Sequence, residues 1–222
     1  MIQKPAKQRS KRLTRERVVE QALKLTRRQG IEFSMRDLGN ELDVWPMAVY
    51  RHIENRDALL GEIVDAVLAE VLSEKALRQL NDRRGSSRKS AMRVCLHCYD
   101  VVVRYPGSAQ LIVGGTTFSP NRIRLADAII DFLVDLGLPP RRAAEILHSM
   151  SLMLFQAAAL DQARQDGSPG LENFAAEALR SDSRITEPEI LDVFLNTSLR
   201  ERAERGLGII FAAIEHELQS LS

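Results

Sequence analysis

The chain has 222 residues, 45% of them apolar and 27% charged, which excludes disorder over the whole length and fits a globular protein of one domain or of a small module joined to a larger one. No stretch nears the ~18 uninterrupted apolar residues of a membrane span. The first twelve residues are basic but lack the apolar run of a secretory signal, so a cytoplasmic protein with no membrane contact is expected.

The net charge of +1 hides an asymmetry. Residues 1–60 hold 13 Lys plus Arg against 8 Asp plus Glu, and residues 61–222 hold 18 against 22. A basic end on an acidic body fits a polyanion-binding module attached to a part with another task; the plainer reading is a solubilising tail.

Strand signals are scarce. Aromatics are 5% and no sustained alternation of β-branched residues occurs, whereas apolar residues recur at steps of three and four. An all-α fold is expected. The first helix carries Val18, Val19, Ala22, Leu23 and Thr26 on one face and stops at Gly30. Ser34 caps the second, with Asp37 as a weaker form of the capping-box acid, and Met35, Leu38 and Leu42 point inward. The third starts near Pro46, which suits a first helical position, and carries Val49 and Ile53. Asn55 caps the fourth, with Leu59, Leu60, Ile63, Val64, Val67 and Val71 as its stripe.

Beyond a polar loop at 81–90, a helix is expected over 90–105, stopped by Pro106-Gly107. An irregular piece follows at 108–117. Ser119-Pro120 opens a further helix that ends near Gly137, and Pro139-Pro140 opens a long one over 141–165. The run at 166–170, DGSPG, reads as a loop. Short helices are expected on either side of Pro188, and the last helix over 199–221.

Only about three residues separate the second and third helices, which makes a helix-turn-helix. Gly39 is small where those two helices must approach, and Asp43 sits where the backbone needs a left-handed conformation. Pro46, Met47, Tyr50 and Arg51 stay outward on the third helix, a mix unlike an ordinary solvated face.

The run Ser34-Met35-Arg36-Asp37-Leu38, then Leu42-Asp43-Val44, then Pro46-Met47-Ala48-Val49-Tyr50-Arg51-His52-Ile53, then Asn55-Arg56-Asp57-Ala58-Leu59-Leu60 resembles the DNA-binding domain of TetR-family transcriptional regulators, in the branch like the tetracycline repressor. The match covers residues 14–62; beyond Leu72 it is one of architecture. The resemblance implies an N-terminal three-helix DNA-binding domain at 13–60, after a basic tail at 1–12, and a larger helical ligand-binding and dimerisation domain at 61–222. It implies DNA contacts from Ser34, Arg36, Trp45, Pro46, Met47, Ala48, Tyr50, Arg51, His52 and Arg56. Pro46, Met47 and Ala48 match positions that meet base edges, and Arg36 an arginine that reads a base. Tyr50 matches a tyrosine on the backbone or a nearby base. His52 and Arg56 match phosphate contacts that set register.

The sequence departs from the family where Trp45 stands in place of a capping Ser or Thr, Asp43 in place of Gly and Gly39 in place of Ala. Trp45 has two readings, packing at the turn or contact with a thymine methyl or a sugar. The basic tail also has two, a solvated segment or an arm in the minor groove.

In the body, Ala203, Leu207, Ile210, Phe211, Ile214, Leu218 and Leu221 form one stripe, with Gly206 and Gly208 leaving room for a neighbouring helix. The stripe reads as packing within the chain or, as the resemblance implies, as a dimer interface formed by Leu207, Ile210, Phe211, Ile214 and Leu218 with the 141–165 helix. A two-fold dimer then reads a palindromic operator. The polar His97 and Gln156, with Phe118, Met150 and Met153 among the apolar groups, are candidate lining of a small-molecule pocket, with ordinary core as the alternative; Phe174 is a further aromatic near a loop.

Cys95-Leu96-His97-Cys98 is a CxxC, but it sits mid-helix with no βαβ pattern. Buried wall, redox sensing and metal binding all remain open for it. No nucleophile–base arrangement, metal set or cofactor motif is present, so no catalytic residue, metal or cofactor is expected. The leading function is a ligand-responsive DNA-binding regulator of the repressor type. The alternatives are an architectural DNA-binding dimer and a thiol-redox protein using Cys95 and Cys98.

Overall fold

The computed structural model describes residues 12–73, 88–115, 119–165 and 197–221. Within them run nine helices and no strand: α1 Arg15–Gln29, α2 Met35–Glu41, α3 Pro46–Tyr50, α4 Arg56–Val71, α5 Arg88–Val103, α6 Ser108–Gly114, α7 Pro120–Asp135, α8 Pro140–Gln165 and α9 Leu199–Leu221. The tail at 1–11, Phe118, the loop at 166–170, Phe174, the helices expected around Pro188 and the side chain of Leu221 lie outside the described residues.

Local chemistry sets the helix starts. The side chains of Thr14, Ser34, Asn55 and Ser119 each accept a main-chain N–H of the first turn, filling donors that a helix leaves open. At α2 the capping box is complete, with Asp37 N–H on Ser34 Oγ at 3.1 Å and Ser34 N–H on Asp37 at 2.8 Å. Ser198 and Glu201 repeat the pattern at α9, at 3.2 and 2.9 Å.

One expected element differs. Residues 108–114 form α6 rather than an irregular piece, between Gly107 at φ 87° and Gly115 at φ 65°. Its Ala109 and Ile112 are buried, and packing against α8 stabilises a helix too short to persist alone.

The buried side chains form one continuous core from Val18 to Ile214. α4 belongs to both ends of it, packing on α1 at one side and on α5, α6 and α7 at the other. α8 contacts α5, α6, α7 and α9. By length and mean hydropathy, 1.3, it would pass for a membrane span. Here its Ala143, Ile146, Met150, Leu154 and Ala158 are core.

Candidate nucleic-acid interface and effector cavity

The α2–α3 unit is fixed by two backbone constraints. A Cβ on Gly39 would lie 2.9 Å from the Val44 carbonyl oxygen and 3.3 Å from Pro46 N, so only glycine admits this turn undisturbed. Asp43 takes φ 55°, a left-handed conformation that Asp tolerates. Leu38, Leu42, Val49 and Ile53 are buried beneath the unit and hold α3 with its other face outward.

That outward face is apolar. Trp45 is 85% exposed, Met47 71% and Tyr50 41%, while Pro46 and Ala48 are half-buried. Three large apolar side chains within six residues, all presented to solvent on a well-packed element, mark a contact surface. Trp45 does not pack at the turn, and α3 starts without a side-chain cap. Arg36 and Arg51 are exposed beside this face, and among the described residues neither makes an ion pair. His52 is half-buried and Ser34 is exposed at the start of α2.

Arg56 points elsewhere. Its guanidinium donates to the carbonyls of Phe33 and Ile31, the latter at 2.5 Å, and lies over the Phe33 ring at 6.0 Å. It ties the α1–α2 turn to the start of α4, a role that a sequence match to a phosphate-contacting lysine does not reveal.

A second site lies in the body. A cavity of ≈ 160 Å³ opens between α4, α5, α6, α7, α8 and α9. Leu68, Ile112, Leu125, Ile129, Phe155 and Leu207 are among its apolar walls, and Arg122, His148 and Ser151 supply polar groups. Met150 lines it. His97 lies on α5 off the cavity, half-buried with Nε2 unpaired among the described residues. Gln156 is exposed, and Met153 fills the space over Gly206. Sequence reasoning missed Arg122 and His148. Neither stands in a motif, and only the fold brings them to one cavity.

Two polar connections run from the cavity walls toward α1–α4. Asp65 of α4 accepts from Ser119 Oγ at 2.8 Å and from Asn121 N and Nδ2 at 2.8 and 2.7 Å, holding the start of α7. Gln162 of α8, 1% exposed, donates to the carbonyls of Val102 and Tyr105 at 2.7 and 2.9 Å and accepts from Gly107 N–H at 3.1 Å. The turn it clamps abuts α1: Tyr105 OH accepts from Arg27 at 2.5 Å and donates to Glu70 of α4 at 2.6 Å. Burial first, then the Glu70 hydrogen bond, pushes the Tyr105 hydroxyl above its ordinary pKa, so it stays a donor.

No family model matches the chain. The class C tetracycline repressor protein of Escherichia coli is 25% identical over 213 residues, 92% of this chain and 91% of that protein. Two solved structures superpose over nearly the whole length. The Streptomyces coelicolor TetR family protein ActR in complex with actinorhodin has a TM-score of 0.74 and 23% identity, covering 94% of this chain and 99% of that one. A TetR variant of Acinetobacter baumannii AYE with minocycline has a TM-score of 0.67 and 22% identity, covering 93% and 99%. The chain shares the fold of these TetR-family structures.

Two features of the chain depart from the sequence reading. The stripe on α9 is largely internal: Leu207, Phe211 and Ile214 are 0%, 3% and 2% exposed. Gly206 admits Met153 of the same chain, not a second protomer. Ile210 and Leu218 are half-buried, and Ile209 is 73% exposed. The outward face is therefore rotated from the stripe. It runs through Ile209, Ala213 and His216 of α9 and Ser149, Leu152 and Leu160 of α8, with a shallow recess between them lined by Arg142, Ile146, Ile210 and Glu217.

The CxxC is wall. Cys95 and Cys98 are buried on α5 and line the cavity. Burial pushes the Cys95 thiol up to about 12 and the Cys98 thiol higher still. Neither is a thiolate near neutral pH, which opposes both nucleophilic and metal-ligating roles. Among the described residues no group of three metal-ligating side chains assembles.

Proposed function

We propose that this chain is a DNA-binding transcriptional regulator of the repressor type, a homodimer released from a palindromic operator by a small molecule in the body cavity. The observation that carries the reading is the outward face of α3, where Trp45, Met47 and Tyr50 stand exposed next to Arg36 and Arg51, which make no ion pair among the described residues. Apolar side chains meet thymine methyls, and arginine reads guanine or neutralises phosphate. In this division residues 13–60 bind DNA and 61–222 sense and dimerise, with α4 shared between them. The exposed face of α8 and α9 is the dimer contact, and it sets two α3 helices at half-sites about 34–36 Å apart or a multiple of that.

The cavity supports ligand control because the similar ActR and TetR structures carry actinorhodin and minocycline. A ligand acts only through a difference in affinity between two states, and Asp65 and Gln162 tie the cavity walls to α4 and α1. The protein works in the cytoplasm, without catalysis or a cofactor.

Selection of duplexes from a random pool by the purified protein tests this reading. The expected product is an inverted repeat, which W45A/M47A/Y50A fails to enrich. A pool without enrichment, or the same repeat enriched by the triple variant, overturns it.

A further inference from the structure

The polar lining of the cavity has one sign of charge. Arg122 and His148 stand exposed at its mouth, with Ser151 and two thiols further along the wall, and among the described residues no Asp or Glu lines it. Other arginines of the body are matched to carboxylates: Arg88 with Glu215, Arg104 with Glu70, Arg142 with Glu217 and Arg200 with Asp100. Arg122 is not. Among the described residues its guanidinium makes no hydrogen bond or ion pair, although the Asp65 carboxylate binds the same first turn of α7. Asp65 is already engaged with Ser119 and Asn121.

The remaining polar groups offer an anion no competition. Ser151 Oγ donates to the Leu147 carbonyl at 2.7 Å, and the two thiols are held neutral by burial. The rest of the wall is aliphatic and aromatic, and ≈ 160 Å³ exceeds the roughly 150 Å³ that holds a benzene ring.

We propose that the cavity takes an amphipathic organic anion, a ring or chain of apolar carbon bearing one carboxylate, with the carboxylate paired to Arg122 and the apolar part among Leu125, Ile129 and Phe155. A guanidinium fork matches a carboxylate in bidentate geometry. The assignment rests on the reading above that this cavity is the effector site. It also gives the ligand a handle on that function. Arg122 lies in the first turn of α7, which Asp65 binds to α4, so an anion drawn to Arg122 pulls on the helix that supports the DNA-binding unit.

Calorimetric titration of the protein with benzoate, benzamide and benzylammonium tests it, since the three share one ring, fit the cavity volume and differ in charge. The wild type is expected to bind the carboxylate about tenfold or more tighter than the amide, the gain of a charge-assisted hydrogen bond, and to reject the ammonium. Arg122→Gln removes the preference and leaves the amide affinity unchanged; Arg122→Lys restores part of it. Equal affinity for amide and carboxylate, a preference that survives Arg122→Gln, or binding of none of the three overturns the assignment. Operator titrations separate the two readings. An amide that binds as tightly and releases DNA overturns the anion and leaves the regulator standing. An Arg122-dependent carboxylate with no effect on operator affinity supports the anion and overturns the sensor.

Discussion

Arg56 donates to two main-chain carbonyls of the α1–α2 turn, whereas Arg36 is exposed on the first turn of α2. The two residues therefore fail differently. Arg56→Ala leaves two part-buried carbonyls without a donor and is expected to lower stability by about 1–3 kcal/mol, read as a lower Tm. Arg36→Ala keeps the Tm and weakens operator binding by about 1–3 kcal/mol, with relaxed preference at one base pair. An Arg56→Ala protein with unchanged Tm and a salt slope reduced by about one unit would return Arg56 to the phosphates. Other single-residue features were legible in the sequence. The S-x-x-D of Ser34 and Asp37 announced a capping box, and the Ser34 hydroxyl, then its N–H, holds the Asp37 carboxyl below its ordinary range. A depressed folded pKa means that this contribution is present above the unfolded carboxylate pKa and is lost as pH falls through the folded value. The inward turn of Arg56 was not legible, because its partners are carbonyls more than twenty residues away.

Helix limits followed from caps and breakers. α4, α7, α8 and α9 fall within a residue or two of the limits read from Asn55, Ser119-Pro120, Pro139-Pro140 and the 199–221 stripe. α6 escaped notice because Gly107, Gly114 and Gly115 bracket a short run that only tertiary contact makes helical. The rotation of the α9 stripe escaped for a related reason: periodicity gives the apolar face of a helix, not which neighbour covers it. The Gln162 clamp has no local signature either, since its partners lie 55 to 60 residues away. Gln162→Leu unpairs the Gly107 N–H, at about 1–3 kcal/mol, and takes one donor from each of the Val102 and Tyr105 carbonyls, which keep the N–H groups of Tyr105 and Ser108. The expected protein is less stable, and its operator affinity responds less to whatever occupies the cavity, measured as the ratio of operator affinities with and without an inducing compound. An unchanged ratio in a folded Gln162→Leu protein would confine Gln162 to structure.

The molecule as a whole places an apolar-faced α3 at one end and a cavity in the middle, joined by α4. Its outer α8–α9 face carries Ile209 at 73% and Leu152 and Leu160 each at 46% exposure. If that face closes a dimer, Ile209→Asp places an unpaired carboxylate in an apolar contact, at a cost of several kcal/mol. Sedimentation should find a folded monomer. Ile214→Asp, by contrast, strikes the protomer core and should unfold it. An Ile209→Asp dimer of wild-type affinity would move the interface elsewhere.

Coupling between cavity and operator is the central claim, and it can be tested without knowing the effector. Ala126 and Ser151 both line the cavity, and Phe at either position occupies part of its volume from within. Operator affinity of Ala126→Phe and Ser151→Phe, measured by titration of a fluorescent duplex on proteins shown to be folded dimers, is expected to fall roughly 5–150-fold, the usual range of an allosteric coupling. Folded dimers of both variants that bind the operator as tightly as the wild type would contradict it.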